Sequence, residues 1–307
     1  AIPLPVEKTT TLRGEGKVFV VDGHVVIPEN VELGVEWGTS IVGINDAKLE
    51  VRGGLKVRGT VEHWVVIRNI DFSPTTNPKR GFHLDMVDFK ACRFVHPEDR
   101  PFEGSLTIEN STFQTGSAFD FRIRKGKLSL FLTVWRPTCT VHLMPPEGEK
   151  PDIGVAIRSS EFRELLSVSG HGAIGLSHNA LKKGVKCEHV LALGIDGCDI
   201  HDGLEIRQQA TDSFKKVKVT KCNIWNGAGV TLHRDAGEDQ KKERVFLQKF
   251  YFGSFDGSEP YLDKDKIEGL VTLGPGNLKV KLDKPRKRKH QLVPYDPLMM
   301  RPPPLHK

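Results

Sequence analysis

A six-residue unit recurs along this chain, apolar at its first and sixth positions and small or apolar at its fourth, and it constrains the fold more than any other feature. It reads Ile67-Arg-Asn-Ile-Asp-Phe72, Phe89-Lys-Ala-Cys-Arg-Phe94 and Ile108-Glu-Asn-Ser-Thr-Phe113. Later copies are Ile157-Arg-Ser-Ser-Glu-Phe162, Ile195-Asp-Gly-Cys-Asp-Ile200, Val219-Thr-Lys-Cys-Asn-Ile224 and Leu247-Gln-Lys-Phe-Tyr-Phe252, with weaker ones starting at Leu128 and Leu176. Successive copies start roughly twenty to thirty residues apart, the length of one coil of a β-solenoid.

Alternation along an extended strand sends the first and sixth residues inward, where each is expected to stack on its counterpart one coil away. Second and fifth residues, such as Arg68 and Asp71, then face water. Asn69 and Asn110 fall where the chain bends, a place at which Asn tolerates unusual backbone angles. Cys92, Cys198 and Cys222 share the fourth position and read as one buried thiol column. The five cysteines show no C-x-x-C and no zinc-like spacing with histidine, so they specify neither a disulfide framework nor a metal centre.

Short apolar strands fill the intervals, among them Leu49-Glu-Val-Arg52 and Val190-Leu-Ala-Leu193, joined by Gly-containing turns. The whole pattern predicts an all-β chain, a right-handed parallel β-helix of about ten coils with an extended C-terminal tail. It resembles the right-handed parallel β-helix repeat proteins, the architecture of pectin lyases and polygalacturonases, over about residues 15 to 282. Three segments are expected: 1–17 as an N-terminal lead-in or cap, 18–283 as the β-helix, and 284–307 as the tail. A β-sandwich would explain the alternation but not a six-residue unit at near-constant spacing.

The formal net charge is +6. All of it resides in the tail, where Lys284, Arg286, Lys287, Arg288, Lys289, Arg301 and Lys307 face a single acid, Asp296. The body is neutral, which argues against nucleic acid as a partner. Pro-rich and basic, the tail cannot build a core of its own. It is expected to bind through Lys284, Arg286, Lys287, Arg288, Lys289 and Tyr295, lying extended on an acidic surface, by preference a neighbouring subunit. No run of about 18 apolar residues is present, so no transmembrane helix is expected. The opening Ala1-Ile-Pro-Leu-Pro5 reads as the start of a mature chain after signal removal, and the expected location is extracellular.

Two functions compete at this point. One is a non-catalytic extracellular scaffold that self-associates through its β-helix ends and its tail. The alternative is a carbohydrate-active β-helix, a polysaccharide lyase or glycoside hydrolase, working in a groove on one long face. Outward residues beside Gly turns supply its candidates: His83 and Asp85, Asp120 and Arg122, Glu205 and Arg207, Thr231 and His233, with His201 and Asp202 in a neighbouring turn. Among them Glu205, Arg207 and His233 form the candidate catalytic set. A carboxylate, a guanidinium and an imidazole can remove a proton beside a uronic carboxylate and neutralise the developing charge. The plain reading of Glu205 and Arg207 as a surface ion pair is the commoner one. Gly170-His171-Gly172 resembles a polygalacturonase tripeptide, but the chain has no Asp-Asp pair to accompany it. No cofactor or metal site is read from the sequence. The scaffold reading is favoured at this stage, because the body is neutral and no familiar catalytic set stands out.

Overall fold

A computed structural model of the chain describes residues 2–74, 81–96, 101–145, 148, 151–208, 217–225 and 228–234, together with strands over 243–248, 251–253, 271–273 and 278–282. The binding residues expected in the tail, Lys284, Arg286, Lys287, Arg288, Lys289 and Tyr295, lie outside the described residues.

The chain is all β and winds into a parallel solenoid of about nine turns. Strands pair in parallel with strands about one coil before and after them, those of the end coils on one side only, giving three long faces. The first face stacks Val65–Arg68, Val87–Lys90, Thr112–Phe113, Val134–Trp135, Glu161–Phe162, Ala180–Leu181, Asp199–Ile200 and Asn223–Trp225. The second stacks Asp71–Pro74, Arg93–Val95, the first half of Ala118–Phe131, Cys139–Leu143, Leu166–Gly170, Val185–Glu188, Leu204–Gln208 and Val230–Arg234. The third stacks Phe82–Asp85, Phe102–Glu109, the second half of Ala118–Phe131, Ile153–Arg158, Ala173–Ser177, Ala192–Asp196 and Val217–Thr220. Residues ahead of Val18 contribute two short strands, Ile2–Pro3 and Thr10–Leu12, to the same parallel pairing.

Alternation builds the core as the sequence predicts. Val141, Val168, Cys187, Ile206 and Leu232 point inward from consecutive coils of the second face, all fully buried. Aromatic rings extend this stacking: Phe89, Phe113, Trp135 and Phe162 form one ladder, with centroids 4.4, 3.8 and 5.8 Å apart in turn. Phe72, Phe94 and Phe119 form a second, and Phe94 packs between them against Phe89 and Phe113. Such rings bury large apolar areas and gain further from their mutual geometry.

The six-residue unit is a corner motif, and it occupies two different corners. Its third residue takes a left-handed backbone at both: φ is 56° at Asn69, 45° at Asn110, 50° at Ser159 and 56° at Lys221. Ile67–Phe72 and Phe89–Phe94 turn from the first face to the second. Ile108–Phe113, Ile157–Phe162, Ile195–Ile200 and Val219–Ile224 turn from the third face to the first. The expected stacking of like on like therefore fails where the two sets meet. Phe89, a first position, lies over Phe113, a sixth, while Ile108 lies between Leu84 and Leu130. The copy assigned to Leu128 begins at Leu130.

One thiol column is accordingly two separate sites. Cys198 and Cys222 are neighbours on successive coils, and proximity to Cys198 helps to raise the Cys222 thiol well above its ordinary value, after burial. Cys92 sits at the other corner, its thiol donating to the Ile67 carbonyl at 3.4 Å. Where Cys198 stands, earlier coils place Ser111, Thr133, Ser160 and Asn179, all buried. These link from coil to coil: Thr133 Oγ1 donates to Ser160 Oγ at 2.9 Å, and the Ser160 amide donates to Asn179 Oδ1 at 3.0 Å. The buried hydroxyls of Thr133 and Ser160 at this fourth position thus find partners along the stack.

Gly126 marks the bend inside the long strand Ala118–Phe131, where the chain passes from the second face to the third. Its φ is +109°, and a Cβ there would lie 1.9 Å from the Gly104 carbonyl oxygen. Only glycine satisfies both conditions.

Candidate functional site

The second face carries the polar chemistry. Its strands alternate strictly: Cys139-Thr-Val-His-Leu143, Leu166-Ser-Val-Ser-Gly170, Val185-Lys-Cys-Glu188, Leu204-Glu-Ile-Arg-Gln208. Apolar residues fill the interior, so the polar ones must project outward. Parallel register then lines them into two columns. One runs Asp120, Thr140, Ser167, Lys186, Glu205, Thr231; beside it runs Arg122, His142, Ser169, Glu188, Arg207, His233. Adjacent members are about 5 Å apart along the stack, so each column extends over roughly 25 Å.

The three candidate catalytic residues meet on this face. Glu205 and Arg207 project from one strand, and His233 is the register partner of Arg207 on the next coil. Glu188 is the partner of Arg207 on the coil before. Lys186 Nζ lies 3.1 Å from Glu188 Oε1 and 3.9 Å from Glu205 Oε1, so one ammonium serves both carboxylates. Beside Glu205 a depression of about 260 Å³ opens, lined by Lys183, Lys186, Asp202, Glu205 and Thr231 and by the turn glycines Gly184, Gly203 and Gly229. A Cβ on Gly184 would lie 2.6 Å from the Gly203 carbonyl oxygen, so glycine there lets consecutive turns pack closely beside the depression.

Towards the N-terminal coils, Asp120 and Arg122 share the same two columns. His142 sits between Asp120 and Ser169: its Nε2 is 3.1 Å from Asp120 Oδ1 and its Nδ1 3.0 Å from Ser169 Oγ. Arg122 donates to the His96 carbonyl at 3.2 Å. Sequence reasoning passed over His142, Ser169, Lys186 and Glu188. The signal was present: Lys186 and Glu188 follow Gly184 at the same spacing as Glu205 and Arg207 follow Gly203, and His142 and Ser169 alternate with buried residues in the same way.

Other candidates are elsewhere. His83 and Asp85 belong to the third face, where His83 Nε2 is 3.7 Å from Glu109 Oε2. Asp202 lines the depression, whereas His201 faces Lys182 at the corner, with Nε2 3.2 Å from its Nζ. His171 lies in the turn between Leu166–Gly170 and Ala173–Ser177.

An outward polar groove on a three-faced parallel solenoid is the arrangement of a pectin-lyase-like β-helix, and that is the architecture of this chain. Among curated proteins it is similar to the pectate trisaccharide-lyase of Thermotoga sp. (strain RQ2), with 46% identity over 134 residues, 42% of this chain and 32% of that protein. It is similar to the same degree to the pectate trisaccharide-lyase of Thermotoga maritima, over 42% of this chain and 31% of that protein. The match therefore spans about a third of each relative's length. No family model matches the chain, and no solved structure matches it.

These relatives overturn the expectation of a non-catalytic scaffold, since both are named as lyases. Neutral net charge misled because it averages over the body, whereas the second face concentrates ions of both signs in two columns. The polar residues that meet on the second face come largely from different coils, so no familiar set stood out in the sequence.

Proposed function

We propose that the chain is a polysaccharide lyase that cleaves a uronate-bearing polymer, of the pectate kind, on its second face. The in-register pair Arg207 and His233, beside Glu205 and the open depression, carries this reading. The names of the two relatives support it.

Arg207 presents a planar fork of N–H donors that matches a uronate carboxylate. Held there, it neutralises the charge that moves onto the carboxyl as the neighbouring C–H proton leaves. His233, one coil away, takes that proton in its neutral form. The electron pair forms a carbon–carbon double bond, the bond to the bridging oxygen breaks, and the leaving oxygen acquires a proton from solvent. Lys186 and Arg207 together offset the two negative charges of Glu188 and Glu205, which lowers the repulsion met by a polyanion in the groove. A polymer of this class is met outside the cell, and secretion is part of the proposal.

The test is elimination on polygalacturonate, followed by the ultraviolet absorbance of the unsaturated product. Activity is expected in the wild type, and Arg207→Ala should abolish it with the melting temperature unchanged. Absence of elimination across a panel of uronate polymers overturns the proposal. Activity that survives combined replacement of Glu205, Arg207 and His233 moves the site elsewhere.

A further inference from the structure

We propose that Asp120, His142 and Ser169 form a second catalytic centre on the same face, one that hydrolyses carboxylic esters through an acyl-Ser169 intermediate. The three side chains project from consecutive coils, and the central imidazole reaches both neighbours at hydrogen-bonding distance, 3.1 Å to Asp120 Oδ1 and 3.0 Å to Ser169 Oγ.

Their chemistry sets the direction of each bond. An ionised Asp120 can only accept, so it selects the neutral tautomer with the proton on Nε2. Nδ1 then carries the lone pair, and the Ser169 hydroxyl must donate to it. That is the polarity a nucleophilic serine needs: a base aimed at its proton, and a carboxylate behind the base that steadies the imidazolium once it forms. The two ring nitrogens exchange the roles they take in serine proteases, and either nitrogen serves equally as base when the other is anchored. The centre is also accessible, with His142 34% and Asp120 54% exposed at their side chains.

Ser169 Oγ attacks the ester carbonyl carbon while its proton passes to His142 Nδ1. Collapse of the tetrahedral intermediate breaks the carbonyl–alkoxy bond, and the alkoxy oxygen leaves with the proton from His142. Water, deprotonated by the same nitrogen, then releases the acid and restores Ser169. Arg122, in register with His142, and Lys186, in register with Ser167, flank the serine and offset the Glu188 carboxylate in register with it. Charge developing on the carbonyl oxygen thus meets Arg122 on the side away from Glu188. Nothing beyond ester and water is consumed.

The identity of the natural ester rests on the lyase reading. Ser169 and Arg207 occupy one column, with only Glu188 between them, so their strands lie about 10 Å apart. One polymer strand lying along the groove passes both. The substrate class is then a small ester borne by that polymer, either an acyl group on a sugar hydroxyl or an alcohol on the uronate carboxyl.

The experiment uses the full chain with p-nitrophenyl acetate and a fluorophosphonate probe, neither of which depends on the lyase. Hydrolysis is expected, with the phosphonyl adduct mapped by mass spectrometry to Ser169. Ser169→Ala should abolish both, and His142→Ala should slow hydrolysis by about a hundredfold or more. Melting temperature and elimination on unesterified polygalacturonate, read in parallel, report whether each variant is folded. Absence of wild-type adduct and hydrolysis overturns the proposal even if elimination is normal. An adduct that persists in Ser169→Ala overturns it as well. Acetylated and methyl-esterified polymers, scored for acetate and methanol release, then distinguish the two ester sources. If p-nitrophenyl acetate is cleaved but elimination is absent, the ester centre stands and only the lyase reading falls.

Discussion

Phe113 and Trp135 lie face to face on consecutive coils, their ring centroids 3.8 Å apart and their planes within 11° of parallel. Trp135 also donates its indole N–H to Thr133 Oγ1 at 2.7 Å, which ties the aromatic ladder to the polar corner. Trp135→Ala should destabilise the fold by about 3–5 kcal/mol, read from denaturant midpoints. Trp135→Phe keeps the stack but leaves the Thr133 hydroxyl without its donor, and a smaller loss of about 1–2 kcal/mol is expected.

Gly126 should tolerate no side chain. Its φ of +109° and the Gly104 carbonyl oxygen, 1.9 Å from where a Cβ would sit, oppose even a methyl group. Gly126→Ala is expected to cost about 4 kcal/mol or more. A variant with wild-type melting temperature would show that the bend between the second and third faces relaxes freely.

Burial makes the thiols poor nucleophiles. It pushes Cys92 and Cys187 up to about 12, and raises Cys139 and Cys222 as well. Thiol reagents should therefore label the native protein at none of these four positions at neutral pH, and all of them after unfolding. Rapid native labelling of Cys92 or Cys222 would contradict the inward placement of those corners.

His201 gives stability a pH dependence. Burial, and then the Lys182 ammonium beside it, push the imidazole down from 6.5 to about 4. Protons therefore bind the unfolded chain more tightly at this position. The stabilisation from neutral His201 is complete above about pH 6.5 and is lost as pH falls towards 4. Urea midpoints should decline over that window, and His201→Gln should flatten the decline. An unchanged slope would assign the acid sensitivity to other groups.

Arg207→Lys tests the proposed role more finely than removal of the charge. Lysine keeps the cation but loses the planar fork. Elimination is expected to fall by about a hundredfold or more, mainly in kcat, because the lost contact matters most as charge develops. Near-wild-type kcat would reduce Arg207 to a general attraction for the polyanion.

Sequence periodicity was enough to specify the solenoid. Inward residues at both ends of the unit, a left-handed residue such as Asn69 or Asn110 at its bend, and a near-constant interval leave few other ways to bury the apolar positions. The outward placement of Glu205, Arg207 and His233 followed from the same alternation. What the sequence alone could not decide was the phase of each copy. Any corner that needs one left-handed residue between two inward ones accepts the same six letters, so Phe89–Phe94 and Ile108–Phe113 look equivalent while occupying different corners. The intervening turns, unequal in length, set which corner comes next, and only pairing between coils fixes the outcome. That pairing separates Cys92 from Cys198 and Cys222 and sends His83 to the third face. It also brings Asp120, His142 and Ser169 within hydrogen-bonding reach, because coil-to-coil register is a property of the folded stack and not of any one strand.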